Sequence, residues 1–172
     1  MEKLITYSSQ YGTAKEYALE LAKRTGFKVK DIKEVKKLTG VDELIHVGSL
    51  YAGGLKGLNT VLKLIDNKIK LTIVTVGLAD PDDESAKQRI DRSIEAQLPK
   101  DRKENTKIFS LRGGIDYSRL SFMHRTMMKL FYSQLKKNKE QTAETQAIFD
   151  TYGKTVSFVD FDTLEPVIEY VK

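Results

Sequence analysis

Lys3-Leu4-Ile5-Thr6-Tyr7-Ser8-Ser9-Gln10-Tyr11-Gly12-Thr13-Ala14 is the stretch that decides the fold. Its first half, Lys3–Ser8, is apolar and rich in β-branched residues and ends in small polar ones, which predicts a buried strand. From Thr13 to Arg24 apolar residues return at Ala14, Tyr17, Ala18, Leu21 and Ala22. That is the spacing of one helix face, and Gly26 supplies the stop. Ser8–Ala14 is therefore a loop leading from the carboxyl end of a strand into the first turn of a helix.

The same alternation continues outward. Phe27–Ile32 reads as a second strand near a sheet edge, Val35–Leu38 as a short helix, and Leu44–Ser49 as a third strand. Leu58–Ile65 reads as a helix. Leu71–Gly77 is the strongest strand signal in the chain. Asp83–Leu98 reads as a helix with acids at its start, where they suit the macrodipole, and Pro99 just beyond its end. Lys107–Leu111 is a fifth strand, Ser121–Lys137 a long amphipathic helix, and Thr155–Val159 a short strand or a loop. Asp162–Val171 is the last helix, capped by Asp160 or Asp162. Strands separated by helices must pair in parallel, because a parallel pair needs a long crossover. The expectation is an α/β chain forming one domain over residues 1–172, a five-stranded parallel sheet in a three-layer sandwich.

Composition narrows the chemistry. The 172 residues contain no cysteine and only two histidines, His46 and His124. Disulfides, iron–sulfur clusters, thiolate zinc sites and thiol catalysis are excluded, and a histidine-based metal centre has little to build on. The N-terminus is too short and too acidic for a signal peptide, and no stretch approaches a membrane span, so a cytoplasmic location is expected. Net charge is +5 and uneven: residues 112–139 hold seven Lys and Arg against one Asp, whereas residues 140–172 hold two against seven acids. Such a basic block predicts an anionic partner, or else a solvated helix face balanced by an acidic tail. Nucleic acid ranks last among the partners, because no nucleic-acid motif is present and few aromatics interleave with the basic residues.

In doubly wound sheets ligands bind beyond the carboxyl ends of the strands. The first such loop offers hydroxyls at Ser8, Ser9 and Thr13, an amide at Gln10 and freedom of backbone at Gly12. Uncharged donors at a helix N-terminus suit a single phosphate, and neither the P-loop lysine pattern nor GxGxxG is present. The same residues would also serve an ordinary capped turn. After the third strand, Ser49, Tyr51, Ala52 and Gly53 place one aromatic between glycines, fit to lie against a flat ring. After the fourth strand, Gly77, Leu78 and Asp80 offer backbone amides, apolar cover and one carboxylate.

On these residues the sequence resembles the flavodoxin-like family. The resemblance implies strand order 2-1-3-4-5, with FMN as cofactor. It implies that Ser8, Ser9, Gln10, Tyr11, Gly12, Thr13 and Ala14 form the phosphate loop. Ser49, Tyr51, Ala52 and Gly53, with Gly77, Leu78 and Asp80, would then sandwich the isoalloxazine ring. Ala14 stands where the family usually has Thr, and Thr13 lies one place earlier. Asp80 close to the ring would disfavour an anionic reduced flavin. A narrower similarity lies in the basic block: Leu111–Leu120 followed by the helix Ser121–Lys137 looks like the menaquinone-dependent protoporphyrinogen dehydrogenases. This branch implies porphyrinogen oxidation with a quinone acceptor. Arg112, Arg119 and Arg125 would then contact the substrate or an anionic membrane surface on the inner face. A protein-to-protein electron carrier is the alternative, although carriers of this fold are typically acidic. Leu120, Met123, Met127, Leu130 and Phe131 form a stripe that fits a normal core face, with Arg125, Lys129 and Lys136 beside it.

Overall fold

The computed structural model describes residues 1–51, 53–138 and 142–172. Five parallel strands form the main sheet: β1 (Lys3–Ser8), β2 (Lys28–Asp31), β3 (Glu43–Tyr51), β5 (Lys70–Gly77) and β6 (Thr106–Arg112). Their order is β2-β1-β3-β5-β6, which is the expected 2-1-3-4-5 when these five are counted in turn. A two-residue strand absent from that expectation, β4 (Gly54–Leu55), folds back antiparallel on the end of β3, pairing Leu50 with Leu55 and Tyr51 with Gly54.

The sheet is covered on both faces, because successive side chains of a strand point to opposite sides. Ile5, Ile45, Val47, Val74 and Val76 face α1 (Thr13–Thr25) and α7 (Glu165–Val171). Leu4, Leu44, Leu71 and Ile73 face α2 (Leu58–Leu64) and α3 (Glu84–Gln97). Tyr17 fastens the first layer. Its hydroxyl donates to the Arg112 carbonyl at 2.7 Å and accepts from Asp160 N at 3.0 Å, tying α1 to the end of β6 and to the approach of α7.

Several elements differ from the expectation. Val35–Leu38 is not helical. A 3₁₀ turn at Ile32–Glu34 ends at Val35, whose extended backbone buries its β-branched side chain in the core. The last helix is divided into a 3₁₀ turn at Phe161–Leu164 and α7, whose first turn contains Pro166. Asp160 is its cap, accepting from Asp162 N at 3.0 Å. A four-residue helix, α4 (Lys100–Lys103), precedes β6.

The largest difference follows β6. A short antiparallel ribbon joins β7 (Gly114–Asp116) to β8 (Thr155–Ser157), the latter in the segment expected as a strand or loop. Between them the chain makes an excursion through α5 (Phe122–Lys137) and α6 (Ala143–Thr151). The helix α6 lies in what the sequence presents as an acidic tail, and its mixed Thr, Gln and Glu composition carries little periodic signal. The α5 stripe is not a core face. Leu120 is buried, but no residue of α5 is, and Phe122, Met123, Met127, Leu130 and Phe131 are 39–88% exposed.

Candidate functional site

The carboxyl ends of β1, β3 and β5 converge on one side of the sheet, with α5 and α6 over them. The first loop is held from within and from its neighbour: Gly12 N donates to Ser9 Oγ at 2.9 Å, and Gln10 N donates to Ser49 Oγ at 3.1 Å. Gly12 adopts φ +101°, which favours glycine, and a Cβ there would meet only a Glu16 carboxylate oxygen at 3.9 Å. The α1 N-terminus has no side-chain cap. Among the described residues, the N–H groups of Tyr11, Thr13, Ala14 and Lys15 have no acceptor. The loop therefore presents unengaged donors at the positive end of a 13-residue helix. Ser8 and Ala14 turn inward, one at the end of β1 and one in the core, so only their backbone faces the loop. Ala14 is thus fixed by packing, and the half-buried Thr13 is the hydroxyl at the helix start.

In the second loop Tyr51 reaches both neighbours. Its ring meets Tyr11 edge to face at 6.5 Å, and its hydroxyl donates to Met127 Sδ at 3.8 Å. The Gly53 carbonyl accepts from Ser93 Oγ of α3 at 3.1 Å. Ala52 lies outside the described residues. The third loop is clamped by Arg112. Its Nε donates to the Leu78 carbonyl at 3.1 Å, and its Nη1 lies 3.2 Å from Asp80 Oδ2. The guanidinium also stacks on Phe158, 3.8 Å from the ring centroid. Arg112 thus holds the loop and neutralises Asp80. Of the other predicted arginines, Arg125 donates to the Ser118 carbonyl at 2.9 Å, and Arg119 projects to solvent 3.5 Å from Asp116.

Between the second and third loops lies a mostly apolar cavity of about 360 Å³, with Tyr51, Gly53, Gly77 and Leu78 on one side. Its far wall comes from Phe131 of α5, which the sequence reading placed in an apolar stripe, and from Arg89 of α3 and Glu144 and Ile148 of α6, which it did not single out. A smaller space of about 210 Å³, lined by Tyr11, Tyr51, Met127 and Phe131, adjoins it. The combined region is in the size range of sites that enclose a small ligand. Two phenols border the first loop. Burial, with Tyr51 adding to it, pushes the Tyr11 hydroxyl up to about 12, and burial, with Tyr11 and Tyr152 adding to it, does the same for Tyr117. Both hydroxyls are buried; that of Tyr11 has no hydrogen-bond partner among the described residues and lies beside the smaller of the two spaces described above, whereas Tyr117 lies near the Gly153 backbone and lines neither space. No group of three or more His, Asp or Glu residues among the described residues could hold a metal ion.

The residues fit a phosphorylated heterocycle: unengaged amides beside an uncrowded Gly12, and a mostly apolar cavity next to Tyr51. Residues 4–142 match the flavodoxin-domain family, and the chain belongs to it. None of the curated proteins compared with the chain matches it. Members of this family typically bind FMN.

Proposed function

We propose that this chain is an FMN-dependent oxidoreductase that takes electrons from a porphyrinogen-like substrate and passes them to a quinone. The observation that carries the reading is the pairing of an unengaged helix N-terminus at Gly12–Lys15 with the slot beside Tyr51. When bound, FMN supplies the redox chemistry; the protein orients it and tunes its surroundings. Ser9, Gln10, Tyr11, Gly12 and Thr13 would hold the phosphate. Ser49, Tyr51, Gly53, Gly77 and Leu78 would flank the ring, with the Asp80 carboxylate paired to the Arg112 guanidinium. The α5–α6 excursion forms one wall of the slot through Phe131, Glu144 and Ile148, an arrangement that favours an enzyme over a carrier docking large proteins.

The exposed face of α5 supports a partner at an anionic membrane surface. Phe122, Met123 and Leu130 are 62–88% exposed, and Arg125, Lys129 and Lys136 flank them. Basic side chains beside apolar anchors bind anionic headgroups, and a quinone resides in the same bilayer. Among the described residues no helix is long and apolar enough to cross a membrane, so the contact proposed is peripheral, from the cytoplasmic side.

The test is an absorption and turnover experiment. Protein reconstituted with FMN should show a bound-flavin spectrum, and its reduced form should be reoxidised by a menaquinone analogue and reduced by a porphyrinogen. Flavin binding without quinone turnover would leave the carrier reading; no flavin binding would remove both.

A further inference from the structure

The phosphate loop has no cation of its own, but the fold delivers one. Lys56, in the turn between β4 and α2, donates from Nζ to Gln10 Oε1. Its backbone is pinned on both sides: Lys56 N donates to the Ser49 carbonyl at 3.0 Å, and its own carbonyl accepts from His46 Nε2 at 2.9 Å. The following Gly57 has φ +86°, and a Cβ there would fall 2.8 Å from the His46 ring. The approach of Lys56 to the first loop is therefore set by the buried framework of β3.

The polar chain continues with one consistent direction. An ammonium can only donate, so Gln10 turns its oxygen to Lys56 and its NH₂ to His124, 2.8 Å away. His124 Nε2 then accepts, which places its proton on Nδ1, 2.9 Å from Ser121 Oγ. No carboxylate lies within ion-pair distance of Lys56 among the described residues. Partial burial and then Lys33 press its pKa down, with Asp31 opposing them. A partly buried cation with no ion pair among the described residues thus sits against a loop whose amides are also unengaged. Both lack the same thing, a negative group.

Resting on the FMN reading above, we propose that Lys56 is a phosphate ligand of this site and makes it select phosphorylated over unphosphorylated flavin. The ammonium would pass from the neutral Gln10 oxygen to the dianion, exchanging a neutral acceptor for a charged one. Gln10 and His124 keep it oriented towards the loop.

The test titrates wild type, Lys56→Met and Lys56→Arg with FMN and with riboflavin, followed by flavin fluorescence at low and high salt. The expected result is a Kd for FMN raised about tenfold in Lys56→Met, with weaker salt dependence, and an unchanged Kd for riboflavin. Lys56→Arg retains most of the FMN preference, which also covers the case where Lys56→Met folds poorly. Equal losses for both flavins, or no change with either, would overturn the assignment. Wild type that binds neither flavin would remove the cofactor reading itself, and only that outcome does so.

Discussion

Arg89 Nε lies 3.2 and 3.0 Å from the two carboxylate oxygens of Glu144, so one guanidinium on α3 bridges both oxygens of an acid on α6. Both residues line the cavity beside Tyr51. The pair is the polar fastening of a cover whose other contacts there, through Phe131 and Ile148, are apolar. Being about one-third exposed, it is worth roughly 0.5–1 kcal/mol. Glu144→Gln should therefore leave the melting temperature nearly unchanged and accelerate flavin release about two- to fivefold. Stopped-flow displacement measures this directly; an unaltered release rate would mean that α6 does not close over the ligand.

His46 gives the fold a pH dependence. It is wholly buried in β3, bonded at Nδ1 to Thr6 Oγ1 at 3.0 Å and at Nε2 to the Lys56 carbonyl. Burial depresses its pKa from 6.5 to about 4. The unfolded chain therefore takes up a proton more readily than the folded one. The contribution of keeping His46 neutral is complete above about pH 6.5, declines as pH falls, and is gone by about pH 4, a change of roughly 3 kcal/mol. The upper part of this window, about pH 5–6.5, lies above ordinary carboxylates. Urea midpoints across it should fall with acid in wild type and stay nearly flat in His46→Gln.

How much of this was legible depends on whether a local pattern carries the feature. Lys3–Ser8 and Thr13–Arg24 announce themselves by period, and the strand order followed from the family resemblance they support. The β4 return needs only Gly54 and Leu55, too short for any period, and its reason is tertiary: Leu50 and Leu55 pair across the end of β3. The α5 stripe of Met123, Met127 and Leu130 has core spacing, yet spacing does not say whether another layer covers it; Met127 turns to Tyr51, while Met123 and Leu130 are left exposed by the described residues. Lys56 and Gln10 are 46 residues apart in sequence, so only the fold shows that the loop has a cation at hand. Arg112 stands out in the sequence only as part of a basic block expected to face an anionic partner; its engagement with Leu78 and Asp80 depends on the β5–β6 register, which sets Gly77 opposite Arg112.

That register has a redox consequence. Arg112 neutralises Asp80 at 3.2 Å, so the carboxylate that would disfavour a negatively charged reduced flavin is balanced. Arg112→Gln should free the Asp80 charge and loosen the Leu78 carbonyl. With FMN bound, the midpoint potential should drop by about 30 mV, equivalent to ~1.4 kcal/mol for two electrons. Arg112→Gln combined with Asp80→Asn should restore it. Spectroelectrochemical titration separates the cases, and a potential indifferent to both substitutions would place the ring away from this loop.

Gly12 tests the cradle with little disturbance of its surroundings. At φ +101° any Cβ is strained, at a cost of roughly 1–2 kcal/mol, but the nearest protein atom is a flexible carboxylate 3.9 Å away. Gly12→Ala should therefore fold with a melting temperature lower by only a few degrees. Its methyl group would stand in the space next to the unengaged amides, where a phosphate must approach closely. FMN affinity should fall more than tenfold, and riboflavin affinity much less. Unchanged FMN titration would assign the phosphate elsewhere.

The face of α5 makes a prediction independent of any flavin. Phe122, Met123 and Leu130 touch too little of the protein to support the fold, so replacing all three with Ser should leave thermal stability intact. Each basic residue near an anionic surface adds about 1 kcal/mol of attraction, and salt screens it. Wild type should sediment with vesicles containing phosphatidylglycerol, less so at 0.5 M salt, and not with purely phosphatidylcholine vesicles. The triple Ser variant should lose most of the binding although its charge is unchanged, because electrostatic attraction alone leaves the chain without an apolar anchor. Binding retained in the triple variant, or equal on both vesicle types, would show that another surface makes the contact.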